Sequence, residues 1–325
     1  MKTLRLSLTC LLCLCSTSVA QDKSVYPKPD PGPSAVTSVT FDWKDGSRDR
    51  VVPVRLYYPK DFARPAPIIV FSHGTGGSRD TYAYLGKFWA SHGYVVVHPQ
   101  HAGSDTKAFV GKANLLEAMK KAIGDPRNAI ERPKDVAFVL DQLTKMCKDD
   151  TKFRGKLNLD AVGLAGHSFG AHTTLVAAGQ KMASLHVHDK RIKAIVPMSA
   201  PVPKLNVDRA FAGMKVPMLL MSGTLDDSPL GDTRAKERRV PFDKVSGVDK
   251  YFINFEGGDH MIFSGRLAAK GERARDAEFQ RAIKETTLAF WDAYLKSDAQ
   301  ASPWLRDRMK SHLGKLAAVE LKLNR

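Results

Sequence analysis

Seven short runs rich in apolar or β-favouring residues recur through the 325-residue chain, at 51–58, 68–72, 94–98, 161–165, 194–198, 218–222 and 251–255. Three of them contain the unbroken segments Ile68-Ile69-Val70-Phe71, Val95-Val96-Val97 and Met218-Leu219-Leu220-Met221. A strand wetted on one face alternates apolar with polar residues, so a strand without alternation is covered on both faces. Helical patterns lie between the runs. Pro133 to Leu143 puts Val136, Val139, Leu140 and Leu143 on one face behind an opening proline, and the Ala-rich stretch 169–179 follows directly on a strand. This alternation implies an α/β class chain: a mostly parallel central sheet with helices on both faces and right-handed crossovers. The domain is expected over 51–300, with a closing helix at Ala282 to Lys296. Thr106 to Arg132 has the length of a small cap insertion, and its stripe of Leu115, Leu116, Met119 and Ile123 reads as core packing rather than as a substrate-facing lid. Residues 301–325 read as a basic tail.

The first twenty residues have a basic start (Lys2, Arg5), an apolar run from Leu6 to Cys15 and the small-residue end Ser18-Val19-Ala20, the pattern of a secretory signal peptide. The expectation is a secreted or periplasmic protein, soluble once residues 1–20 are removed. Residues 21–50 read as a Pro-rich leader (Tyr26 to Ser34) and a first strand region. Three of the four cysteines fall in the signal peptide, so only Cys147 remains after its removal and no intramolecular disulfide is expected. The 50 basic residues outnumber the 34 acidic ones, for a formal charge of +16. They are scattered, with no zinc-finger spacing and no aromatic-basic interleaving, so nucleic acid is not an expected partner. Peripheral contact with anionic envelope surfaces is compatible with such a field. The oligomeric state is not legible.

Gly166-His167-Ser168-Phe169-Gly170 stands between a β-type run and a helix. In that context G-x-S-x-G marks the nucleophile elbow of α/β-hydrolases: the glycines allow close backbone approach and the serine sits exposed on a strained turn. A serine hydroxyl is a weak nucleophile near neutral pH and needs a base, itself oriented by an acid. These follow the nucleophile in the order acid, then histidine. His260, in the loop Glu256-Gly257-Gly258-Asp259-His260 after a late strand, is the expected base. The loop after Met218 to Ser222 offers Asp226 and Asp227, either of which could turn toward it. The loop after the preceding strand, Met198-Ser199-Ala200-Pro201, has no carboxylate. The oxyanion donors are expected to be the backbone N–H of Phe169 and that of Thr75 in His73-Gly74-Thr75-Gly76-Gly77, with Gly74 as the alternative.

With these residues in hand, the chain resembles the α/β-hydrolase superfamily and, more narrowly, the bacterial relatives of platelet-activating-factor acetylhydrolase often labelled predicted dienelactone hydrolases. The resemblance runs from about Val51 to Lys296 and rests on Phe71 to Arg79 (FSHGTGGSR), Trp89 to Tyr94 (WASHGY), His98 to Asp105 (HPQHAGSD), Gly166 to Gly170 and Gly258 to His260. It implies a serine esterase that needs no metal or cofactor and acts on short acyl or oxidised phospholipid esters. The G-x-x-D-x-x-P spacing usual in such hydrolases selects Asp226, leaving Asp227 as the alternative acid. Ser168 stands where true dienelactone hydrolases carry cysteine, which argues against dienelactone chemistry. The expected function is therefore a serine carboxylic-ester hydrolase acting on a small-molecule or lipid ester. The alternatives are a lipase, phospholipase A or polyester hydrolase with the same residues, and a non-catalytic envelope-binding protein.

Overall fold

The computed structural model describes residues 26–61, 64–182, 187–265 and 275–324; the leader at 1–20 lies outside them. Each continuously apolar run is a strand of one nine-stranded sheet, in the order β1-β2-β4-β3-β5-β6-β7-β8-β9. The strands are β1 (Val36–Asp45), β2 (Arg50–Pro59), β3 (Ala66–Ser72), β4 (Val95–Pro99), β5 (Leu157–His167), β6 (Ile192–Met198), β7 (Met218–Leu225), β8 (Lys250–Asp259) and β9 (Ala317–Lys322). Strands β4, β3, β5, β6, β7 and β8 are mutually parallel, while β1, β2 and β9 add antiparallel edges.

Burial on both faces follows from the side-chain alternation along each inner strand. Ile68 and Val70 face one core, with Val136, Val139 and Leu140 of α3 (Pro126–Asp149) and Leu175 of α4 (Phe169–Ala177). Ile69 and Phe71 face the other, with Leu85 and Trp89 of α1 (Ala83–Ser91) and Phe290 and Trp291 of the closing helix. Between α1 and α3 lies α2 (Leu115–Gly124). The short α5 (Val207–Ala210) and α6 (Val240–Lys244) precede that closing helix, α7 (Asp276–Leu295). Buried Asp292 of α7 accepts from Tyr94 Oη (2.7 Å), from Tyr26 Oη (2.8 Å) and from Lys28 Nζ (2.6 Å), which pins the start of the described chain to its last long helix.

Three sequence expectations change. The helix expected to open at Pro133 begins at Pro126, capped by the Asp125 carboxylate, and carries Pro133 internally. Proline costs that turn one backbone hydrogen bond, and packing of Val136, Val139, Leu140 and Leu143 keeps the helix continuous. The segment read as a basic tail is folded: residues 301–313 are mostly helical, and β9 pairs with β8 from Ala317↔Phe255 to Lys322↔Lys250. Arg306, Arg308 and Lys310 are exposed on the helical part and Lys322 on the edge strand, so the charge belongs to the wet faces of folded elements. The stripe on α2 does not join the core either: Leu115 and Leu116 are half exposed, and Leu115 and Met119 line the cavity described next.

Candidate active site

All the chemistry read from the sequence lies on loops at the carboxyl ends of parallel strands, where open α/β sheets hold their ligands. Ser168 follows β5 and starts α4 with φ 57° and ψ −118°, a conformation rare for a residue with a side chain. Two glycines make the turn feasible. A Cβ on Gly166 would collide with the backbone of Gly170, and one on Gly170 with the carbonyl of Ser72 at the end of β3. The Ser168 N–H donates to the Met198 carbonyl (2.9 Å), fixing the tip to β6. Its side chain is half buried, hydrogen bonds to no described residue, and lines a cavity of about 590 Å³ together with His260, Thr75, Tyr82, Phe109 and Met119.

His260 and Asp226 meet at the ends of β8 and β7. His260 Nδ1 lies 2.7 Å from Asp226 Oδ1, and a carboxylate accepts, so the ring proton sits on Nδ1 and Nε2 carries the free lone pair. Asp226 is fully buried, and two hydroxyls hold its other oxygen: Ser199 Oγ donates to Oδ2 at 2.5 Å and Ser222 Oγ at 3.0 Å. Ser199 stands at the end of β6, in the loop that lacks a carboxylate. Arg238 closes the cluster, donating from Nε to the Asp226 carbonyl (3.1 Å) and from Nη1 to the Ser199 carbonyl (2.7 Å), with Nη2 3.3 Å from Asp226 Oδ1. Nη2 also approaches His260 Nδ1 at 3.4 Å, but a ring nitrogen that donates to Asp226 cannot accept there, so this is a contact of two donors. Asp227 turns outward to Ala235 N–H (2.9 Å) and Arg234 Nη1 (3.0 Å). Of the two aspartates, Asp226 alone is on the histidine.

A second histidine shapes the loop after β3. His73 is buried, Nδ1 donates to the Gly74 carbonyl (2.7 Å) and Nε2 accepts from His101 N–H (3.1 Å). In a trans peptide the C=O and the following N–H point in opposite directions, so a Gly74 carbonyl aimed at the His73 ring directs the Thr75 N–H away from it, on the cavity side. Neither the Thr75 nor the Phe169 N–H has an acceptor among the described residues. A Cβ on Gly74 would stand 3.5 Å from Ser168 Cβ, so this loop and the elbow face each other at close range.

His167, next to the serine, donates from Nε2 to the His260 carbonyl (2.8 Å), leaving Nδ1 to accept from Tyr82 Oη (2.7 Å). Burial, then the proximity of His260, pushes its pKa well below the ordinary histidine value and keeps the ring neutral. Four contributors could not be singled out in sequence. His73 and His167 precede the nucleophile among other histidines, Ser199 is one loop serine among many, and Arg238 is one of 50 basic residues. A larger cleft, about 1100 Å³, lies beyond α4 beside His172, Pro201 and Arg209 and includes none of Ser168, Asp226 and His260.

The parallel sheet with a serine elbow after β5 and a carboxylate–histidine pair after β7 and β8 defines an α/β-hydrolase-fold protein. Within that class the chain is similar to platelet-activating factor acetylhydrolases. The family model described as platelet-activating factor acetylhydrolase, isoform II, matches residues 60–124, the stretch from β3 through α2 that contains the Thr75 loop. The platelet-activating factor acetylhydrolase of Cavia porcellus is 23% identical over 289 residues, covering 78% of this chain and 63% of that protein. The Bos taurus protein of the same name is 21% identical over 272 residues, covering 73% and 59%. The chain therefore spans less than two thirds of the length of these relatives.

Proposed function

We propose that the protein is a serine carboxylic-ester hydrolase working through an acyl-enzyme, with Ser168 as nucleophile, His260 as base and Asp226 as the orienting acid. The observation that carries this reading is the 2.7 Å contact of Asp226 with His260 Nδ1, which frees Nε2 in the cavity that Ser168 also lines. His260 Nε2 takes the hydroxyl proton as Ser168 Oγ bonds to the ester carbonyl carbon, and the carbonyl electrons move onto oxygen. The Thr75 and Phe169 N–H groups hold that oxyanion; loss of one such donor costs about 3 kcal/mol of barrier. As the C–O bond to the leaving group breaks, His260 returns the proton to the departing alcohol. Water then repeats the sequence and releases the acid, and Ser168 regains its hydrogen.

The similarity to acetylhydrolases supports short acyl groups as substrates. A lipid ester is favoured by the cavity mouth, where Val110 (75% exposed) and Leu115 (53%) leave apolar surface in water beside Lys107 and Lys112. That patch also supports the second reading, a lipase or phospholipase A. We place the protein outside the cytoplasm on the strength of its first twenty residues. No helix among the described residues is long and apolar enough to cross a membrane. Hydrolysis of p-nitrophenyl esters from acetate to palmitate, with Ser168→Ala as control, tests both readings. Fast turnover of short esters that vanishes in the variant is expected. A preference for long chains selects the lipase, and an inactive wild type that also resists a fluorophosphonate leaves the non-catalytic binding protein.

A further inference from the structure

Arg132 on α3 is wholly buried, yet no carboxylate pairs with it directly among the described residues. A buried guanidinium with only neutral partners is expensive to maintain, so its contacts are informative. Nη2 donates to the His73 carbonyl and to Ser72 Oγ (3.1 Å), at the start of the Thr75 loop. Nη1 donates to Ser104 Oγ (2.9 Å), and Ser104 in turn offers its carbonyl to Gly76 N–H (2.8 Å) in that same loop. Nε donates to Thr173 Oγ1 (2.9 Å) on α4, whose hydroxyl donates to the Phe169 carbonyl (3.0 Å), and the guanidinium carbon lies 4.6 Å from the centre of the Phe169 ring. One side chain thus ties together the two backbone segments whose N–H groups hold the oxyanion in the esterase reading.

Its charge is only partly offset, since Asp135 and Asp105 act on it through space without touching it. Asp135, the adjacent acid on α3, is taken up by Arg50 Nε (2.8 Å), Arg48 Nη1 (2.8 Å) and His101 Nδ1 (3.0 Å). His101 Nε2 then accepts from Ser72 Oγ (3.0 Å), so Ser72 shows Arg132 only a lone pair. A positive charge in a dry interior beneath the oxyanion loop acts most strongly on the anion that exists only in the transition state.

We propose, resting on the esterase reading above, that Arg132 is a positioning residue for the oxyanion: it sets the spacing of the Thr75 and Phe169 N–H donors and lends its charge to the tetrahedral intermediate. It touches no substrate. A structural brace alone would change stability, whereas this role changes kcat and the affinity for a tetrahedral adduct.

The test compares wild type, Arg132→Lys and Arg132→Met by ester kinetics and by inhibition with a phenylboronic acid, which forms a tetrahedral anionic adduct on Ser168. For Arg132→Met the expectation is a fall in kcat of about 10- to 100-fold with KM changed less than about threefold, and a parallel loss of boronate affinity. Arg132→Lys keeps the charge and recovers part of both. A folded Arg132→Met with unchanged kcat and boronate affinity overturns the proposal. Should that variant not fold, Thr173→Val, which removes the acceptor of Nε, decides: kcat and boronate affinity falling together support the proposal, and neither falling overturns it. If wild-type protein turns over no ester and binds no boronate, it is the esterase reading that fails.

Discussion

Asp226 and Asp227 are neighbours in sequence and opposites in environment. The first is buried beneath two serine hydroxyls and a histidine, and the second is solvated beside Arg234. Asp226→Asn is expected to lower kcat by about 10³- to 10⁴-fold, because the amide no longer holds the imidazole in the required tautomer. Asp227→Asn is expected to stay within about twofold of wild type, as a surface change. Ester kinetics on the two variants at matched protein stability checks both. The elbow gives a complementary prediction: Gly170→Ala puts a methyl into the Ser72 carbonyl with backbone on both sides, so little can give. A loss of about 3 kcal/mol or more in denaturant unfolding is expected, against a change of a few tenths for Gly46→Ala, where the space is open and φ is not positive.

Among the elements, α2 is where the sequence pattern and the structure part. An apolar stripe at helical spacing says that one face is covered, not by what, and here the cover is a cavity wall: Met119 Cε lies 3.0 Å from where a Cβ on Gly76 would be. Met119→Ala and Leu115→Ala are expected to raise the octanoate-to-acetate ratio of kcat/KM by about tenfold, since each removed methylene of wall makes room for one of substrate. An unchanged ratio would detach α2 from acyl selection. The inner strands were legible because they are buried on both faces and rich in apolar residues, three of them as unbroken runs. Strand β9 was not: it is a short edge strand, and Lys315 just before it with Glu320 and Lys322 on its wet face made the segment read as a charged tail. The residues from Gly166 to Gly170 and around His260 carry local motifs. The supports of Asp226 are set by contacts across 12 and 27 positions, which no local pattern encodes.

For the molecule as a whole, buried histidines govern the response to acid. Burial pushes His98 and His101 down to about 4, with Asp135 pulling His101 the other way and losing. In the unfolded chain both take a proton near 6.5. The unfolded state therefore binds more protons between about pH 6.5 and pH 4, and stability falls as pH is lowered through that window. Asp135, held at about 2 against its own burial by His101 and Arg50, adds stability that is lost only as pH falls from about 4 toward 2. Thermal melts should show Tm dropping between pH 6.5 and 4, and His98→Gln should flatten part of the slope. A Tm constant across that range would contradict the assignment.

The clamp that Asp292 makes on Tyr26 and Lys28 has a consequence in time rather than in space. It joins positions 266 and 264 residues apart, and β9 completes the sheet later still. Contacts of such range are formed last and slow folding. During synthesis from the amino end, Asp292 and β9 emerge late, so the clamp on Tyr26 and Lys28 and the pairing of the β8 edge close only after most of the chain is out.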